Sequence, residues 1–160
     1  MTDTIESLKE VIALLNQKLT HYERDIQDLS APIIPSIVPH TILVPLTGRL
    51  TEGRLEHILE VVVKHLEHGE VENVLIDLTG TNTNDVDPSD YQLIAGKMKD
   101  LVGAVKLMGA NTIFVGFSPH FAKEMVLSGV LKDIRVQSFS TFRNALQHLL
   151  KLKGYEIKPL

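Results

Sequence analysis

The sequence predicts an α/β fold, a mixed but mostly parallel sheet covered by helices, preceded by an N-terminal coiled-coil helix. Three observations carry this expectation. Val74 to Leu78 and Ile113 to Phe117 are nearly continuous apolar runs, the pattern of parallel strands buried on both faces. Between them Ile94, Met98, Leu101, Val105 and Met108 recur with helical period, so a helix should join the two strands in a right-handed crossover. Ahead of both, Ile5, Leu8, Ile12, Leu15, Leu19, Tyr22, Ile26 and Leu29 fall at unbroken alternating steps of three and four. That spacing is a heptad seam.

With Ile5 at position a, the a sites hold Ile, Ile, Leu and Ile and the d sites Leu, Leu, Tyr and Leu. Ile at a with Leu at d favours a parallel two-stranded coil, so a homodimer is implied. Lys18 at g can reach Glu23 at e of the partner, which supports the register while contributing little energy. The alternative is a helix folded back on its own domain. The narrow stripe argues for the coil, since docked helices usually show a broader apolar face, although Val11 and Leu14 widen it. Residues 3 to 29 would form a rod of about 40 Å projecting from the domain. Pro32 and Pro35 stop the helix near Ser30. The expected organisation is a coil over 1–29, a globular domain over 30–153 and a tail over 154–160.

In the globular part, Ile33 to Val38 and Thr41 to Leu46 are β-prone runs around Pro39-His40, a hairpin-like start whose prolines place the first strand at an edge. Leu55, Ile58, Leu59, Val62 and Leu66 mark a helix between Thr51 and His68, with Gly69 as its stop. Gly109 ends the next helix. Ser118 before Pro119 is a helix start, the serine as N-cap and the proline at the first helical position. That helix runs to about Ser128. A more polar strand follows over 134 to 139, and Ser140 caps a final helix carrying Phe142, Ala145, Leu146 and Leu149.

A chain of 160 residues with 44% hydrophobic content can furnish one globular core. Cysteine is absent and no basic start with a long apolar run opens the chain, so neither disulfides nor export is indicated. A cytoplasmic protein is expected. Apolar runs fall far short of the ~20 residues of a membrane span. Sixteen basic against 20 acidic residues leave no basic stripe for nucleic acid. Neither a P-loop, a dinucleotide glycine pattern nor a nucleophile elbow occurs, so no catalytic constellation and no cofactor are expected. His65 and His68 lie three apart on one helix, but without a third ligand they read as solvated residues and not a metal site. Glu60, Glu67 and Glu70 read as a solvated face.

Two motifs stand out. Asp77-Leu78-Thr79-Gly80 closes one central strand, and Gly116, Ser118, Pro119 and Ala122 form a G-x-S-P-x-x-A segment after the next. With the upstream SAPIIP of Ser30 to Pro35, they resemble the STAS domain of bacterial anti-sigma-factor antagonists, in particular the RsbR-type stressosome proteins, over roughly residues 30 to 150. The resemblance implies the STAS fold and a non-enzymatic scaffold that binds an RsbT-like, GHKL-type switch kinase and RsbS-like STAS proteins to control sigma-factor activity. Two alternatives are a simple anti-anti-sigma factor binding an anti-sigma kinase one to one, and a nucleotide- or small-molecule-binding STAS module. The heptad seam weighs against the first, and a loop without lysine or a glycine-rich turn against the second. The family usually places a sensory domain before the STAS domain, where only the coil stands here.

The loop Thr81 to Asp90, TNTNDVDPSD, leaves the carboxyl end of a central strand, where partners favour open α/β sheets. Gly80, Thr81, Asp85, Asp87 and Asp90 are its candidate partner-binding residues. By resemblance, the matching family turn carries a phosphorylated Ser or Thr beside an Asp. This loop is longer and lacks that pair, leaving Ser89 and Thr83 as candidate acceptors and Thr81 farther into the loop. Ser89 is better explained as a helix N-cap, since a serine after Pro88 and before an apolar-periodic run is what a helix start requires. The family's second acceptor position, in the helix after Ser-Pro, holds Glu124 here. Glu124 with the loop aspartates would supply as fixed charge what a phosphoryl group supplies reversibly. Its plain alternative is a solvent-exposed helix residue.

Overall fold

The structure, a computed structural model, describes residues 1–132 and 134–160 and leaves the side chain of Asp85 aside. The chain divides into two compact units, Met1–Ser30 and Ala31–Leu160. The first is one helix, α1 (Thr2–Ser30). Its seam residues are all exposed, from 51% at Ile5 to 79% at Leu29.

The second unit is built on a five-stranded sheet in the order β1-β2-β3-β4-β5. Its strands are β1 (Ile34–Pro35), β2 (Thr41–Gly48), β3 (Asn73–Thr81), β4 (Asn111–Val115) and β5 (Gln137–Phe139). Only the β1–β2 pair is antiparallel. The helices are α2 (Glu52–Leu66), α3 (Tyr91–Leu107), α4 (Pro119–Leu127) and α5 (Phe142–Leu152). Strand alternation assigns the core to two layers. Val44, Ile76 and Phe114 face α2, α3 and α4, while Leu75, Ile113 and Val115 face α5 with Ala145, Leu149 and Leu150. Each fully buried aliphatic side chain contributes about 1.5–3 kcal/mol, and this double coverage explains why β3 and β4 read as unbroken apolar runs.

Several local expectations are corrected. The first strand shrinks from Ile33–Val38 to two residues, because the chain turns at Ser36, whose Oγ accepts from the Val38 amide, and His40 then takes a left-handed φ of 57°. The last strand covers three residues, not 134 to 139. The cap of α5 is Thr141, whose hydroxyl accepts from the Asn144 amide, and Ser140 instead accepts from the Asn144 side chain. Helix α2 ends at Leu66 with Glu67 as C-cap, so Gly69 lies beyond the stop it was expected to supply. Met108 caps α3 and is exposed, so the buried stripe ends at Val105 and not at Met108. The Ser118-Pro119 start of α4 and the Thr51 start of α2 are as the sequence indicates.

Candidate functional site: the carboxyl edge of the central strands

The two motifs meet at the carboxyl ends of β2, β3 and β4. Between Pro45 and Thr47 on β2, the partner on β3 advances from Asp77 to Gly80, so β3 holds one extra residue. This bulge sits in the DLTG motif. Asp77 stabilises it by accepting the Thr79 amide at 2.9 Å. Two glycines then allow close approach. A Cβ on Gly80 would lie 3.0 Å from the Leu46 carbonyl oxygen and from Thr47 Cγ2. Gly116, at φ +81°, packs so tightly on Thr79 that a Cβ would stand 2.7 Å from its backbone nitrogen. The strand ends therefore pack with no room for a side chain at Gly80 or Gly116. Arg54 fastens its outer side, donating from Nη1 to the carbonyls of Thr47 and Arg49, the latter at 2.9 Å.

The loop leaving this edge is compact. Asn82 donates its amide to the Gly48 carbonyl at 2.9 Å, and Thr81 its hydroxyl to the Leu78 carbonyl at 2.6 Å. Two 3-10 turns follow, Thr83–Asp85 and Pro88–Asp90. Thr83 is buried, with its hydroxyl 3.0 Å from that of Ser118, the N-cap of α4. Ser89 is exposed and is not the helix cap its sequence context suggested. Asp87 fills that role for the second turn, its Oδ1 accepting both the Ser89 amide at 3.1 Å and the Ser89 hydroxyl at 2.9 Å, and Asp90 stands at the N-cap position of α3. These two bonds hold the Asp87 carboxyl below its usual pKa.

Glu124 is half-buried, not a freely exposed helix residue, and its charge acts on Tyr91. Burial first, then Glu124, pushes the Tyr91 phenol above its ordinary pKa. Tyr91 opens α3 directly after Asp90, so it links the loop to the α4 position. Beneath them runs an aromatic ladder, Tyr91 to Phe121 at 6.0 Å, Phe121 to Phe117 at 5.6 Å and Phe117 to Phe114 at 5.5 Å. Sequence reasoning missed Tyr91, Phe121 and Arg54. Tyr91 lies three residues before Ile94 on the apolar stripe, which was the available signal.

The arrangement has no catalytic geometry among the described residues. It is a glycine-packed edge carrying an acidic loop. Among solved structures, an RsbS variant of Moorella thermoacetica superposes with a TM-score of 0.60 at 15% identity, covering 78% of this chain and 97% of that one. A chain from the architecture of the stressosome, described as a signal integration and transduction hub, superposes at 0.56 and 15% identity over 76% of this chain and 98% of its own.

The chain is an STAS-domain protein.

Its sequence is similar to those of RsbR-type proteins. The blue-light photoreceptor of Listeria monocytogenes is 32% identical over 124 residues, 77% of this chain and 46% of that protein. The RsbT co-antagonist RsbRA of Bacillus subtilis is 29% identical over 136 residues, 84% of this chain and 46% of that protein. This chain thus spans less than half the length of these relatives. No family model matches it.

In STAS terms, the structure brings Gly80, Thr81, Asp87, Ser89 and Asp90 to one edge and sets Glu124 beside it through Tyr91. The side chain of Asp85 lies outside the described part. Thr83 is packed under the loop. No group of three metal-binding side chains occurs among the described residues; His65 is exposed on α2, and His68, expected on the same helix, is exposed just past its C-cap. No helix of the described residues is long and apolar enough to cross a membrane.

Proposed function

We propose that this chain is a non-enzymatic scaffold of a stress-signalling assembly, in which paired STAS domains dock a GHKL-type switch kinase and RsbS-like STAS proteins and thereby set sigma-factor activity. Its similarity to RsbR-type proteins and to a stressosome chain supports the class of assembly. The observation that carries the reading is the loop itself, exposed at Ser89 yet anchored on a glycine-packed edge. A docking surface gains affinity from such pre-organisation, because little ordering entropy is left to lose on binding.

Fixed charge replaces reversible charge in this reading. The Ser89 hydroxyl is committed to the Asp87 carboxylate, and a phosphoryl group on it would stand against Asp87 and Asp90. Glu124 already carries a carboxylate at the second position. Pairing of two copies comes from the exposed seam of α1, whose heptad pattern matches a second copy of itself.

Incubating the full chain with an RsbT-like kinase and ATP, followed by size-exclusion chromatography and intact mass, tests both parts. The proposal expects co-elution with the kinase and an unmodified mass. Stoichiometric phosphate on the loop contradicts the fixed-charge part, and failure of the kinase to bind, alone or with an RsbS-like protein present, contradicts the docking part.

A further inference from the structure

At the opposite end of the sheet from the acidic loop, a groove of about 650 Å³ opens between the last turn of α3, the start of β4 and the segment leading into β5. Val102 and Ile134 give it apolar walls, and Lys106 and Arg135 bring two exposed cations to its rim. Neither cation is in an ion pair among the described residues. Thr112 belongs to the same groove and is only 7% exposed. Its hydroxyl is buried with no hydrogen-bond partner among the described residues. Strand alternation puts Thr112 on the face of Phe114, the side on which Val102 packs, and so toward the groove.

An unsatisfied buried hydroxyl is costly, whereas valine would fill the same volume at no such cost. Two unpaired cations, an apolar wall and an orphan hydroxyl converge on one concavity of ligand size. We propose that this groove binds a small organic oxyanion, a carboxylate or phosphate monoester with a short apolar tail. The head group pairs with Lys106 and Arg135, the tail lies on Val102 and Ile134, and on binding the Thr112 side chain rotates about χ1 so that its hydroxyl leaves its buried position and donates to the head group. The site lies at the opposite end of the sheet from the docking edge and shares no residue with it.

Titration of the ¹⁵N-labelled full chain with hexanoate and with hexyl phosphate, followed by amide shifts, tests the site, with 1-hexanol as the uncharged control. Saturable shifts centred on Ala110–Thr112 and on Gln137 are expected for at least one anion and not for hexanol, and the anion that saturates identifies the head group. Lys106→Ala and Arg135→Ala should each weaken that binding by about fivefold or more. Thr112→Val should raise the thermal midpoint of the free protein yet weaken binding, and Thr112→Ser should restore it. The absence of saturable shifts with both anions, equal shifts with hexanol, or full affinity in Thr112→Val would overturn the proposal.

Discussion

At the scale of single residues, Gly116 bears the tightest constraint. Its left-handed backbone alone costs an alanine about 1–2 kcal/mol, and the added Cβ would meet the Thr79 backbone as well. Gly116→Ala should therefore lose more than about 2 kcal/mol in chemical denaturation. Gly103→Ala in α3, where nothing stands within 4 Å of the new Cβ, should instead gain up to about 1 kcal/mol. Asp87 predicts a pH effect. Because folding depresses its pKa, its contribution to stability is fully present above the ordinary aspartate range near 3.9 and is lost as pH falls through the lower folded value. Carboxyl NMR should place its midpoint below that of a free aspartate, and Ser89→Ala, which removes the hydroxyl bond and keeps the amide bond, should move it only part of the way back up. The motif residues Asp77, Gly80, Gly116 and Ser118 were legible as motifs. Their mutual contact was not, because the approach of Gly116 to Thr79 depends on strand register, and one bulged residue resets it.

At the scale of elements, the loop between β3 and α3 shows how capping chemistry decides what a hydroxyl can do. Ser89 follows a proline and precedes an apolar stripe, so it looked like a cap, but Asp87 is the stronger acceptor and takes its amide. Thr83, the other candidate acceptor, is buried against Ser118. Thr83→Val should cost about 1 kcal/mol, read from the thermal midpoint, and should leave kinase docking unchanged. The central strands and α2 to α4 were readable from periodicity, since burial on one or two faces writes the pattern. The short edge strands β1 and β5 were overestimated for a physical reason. Pro35 and Pro39 remove ladder donors at one edge, and at the other the residues before Gln137 do not pair with β4.

At the scale of the whole molecule, the chain holds an STAS-fold unit and a helix with an exposed apolar seam. An uncovered stripe of eight large side chains is costly in water, and the heptad spacing makes a second copy its natural cover. Charges placed in that seam should separate the copies without unfolding the sheet. Ile12→Lys with Leu19→Lys should halve the particle mass while leaving the thermal transition of the STAS domain in place. The most direct test of the account is the mass of the unmodified chain by light scattering at micromolar concentration. Paired scaffolding predicts twice the 17.8 kDa of one chain, or a multiple of that pair, whereas a stable single-chain mass would contradict it.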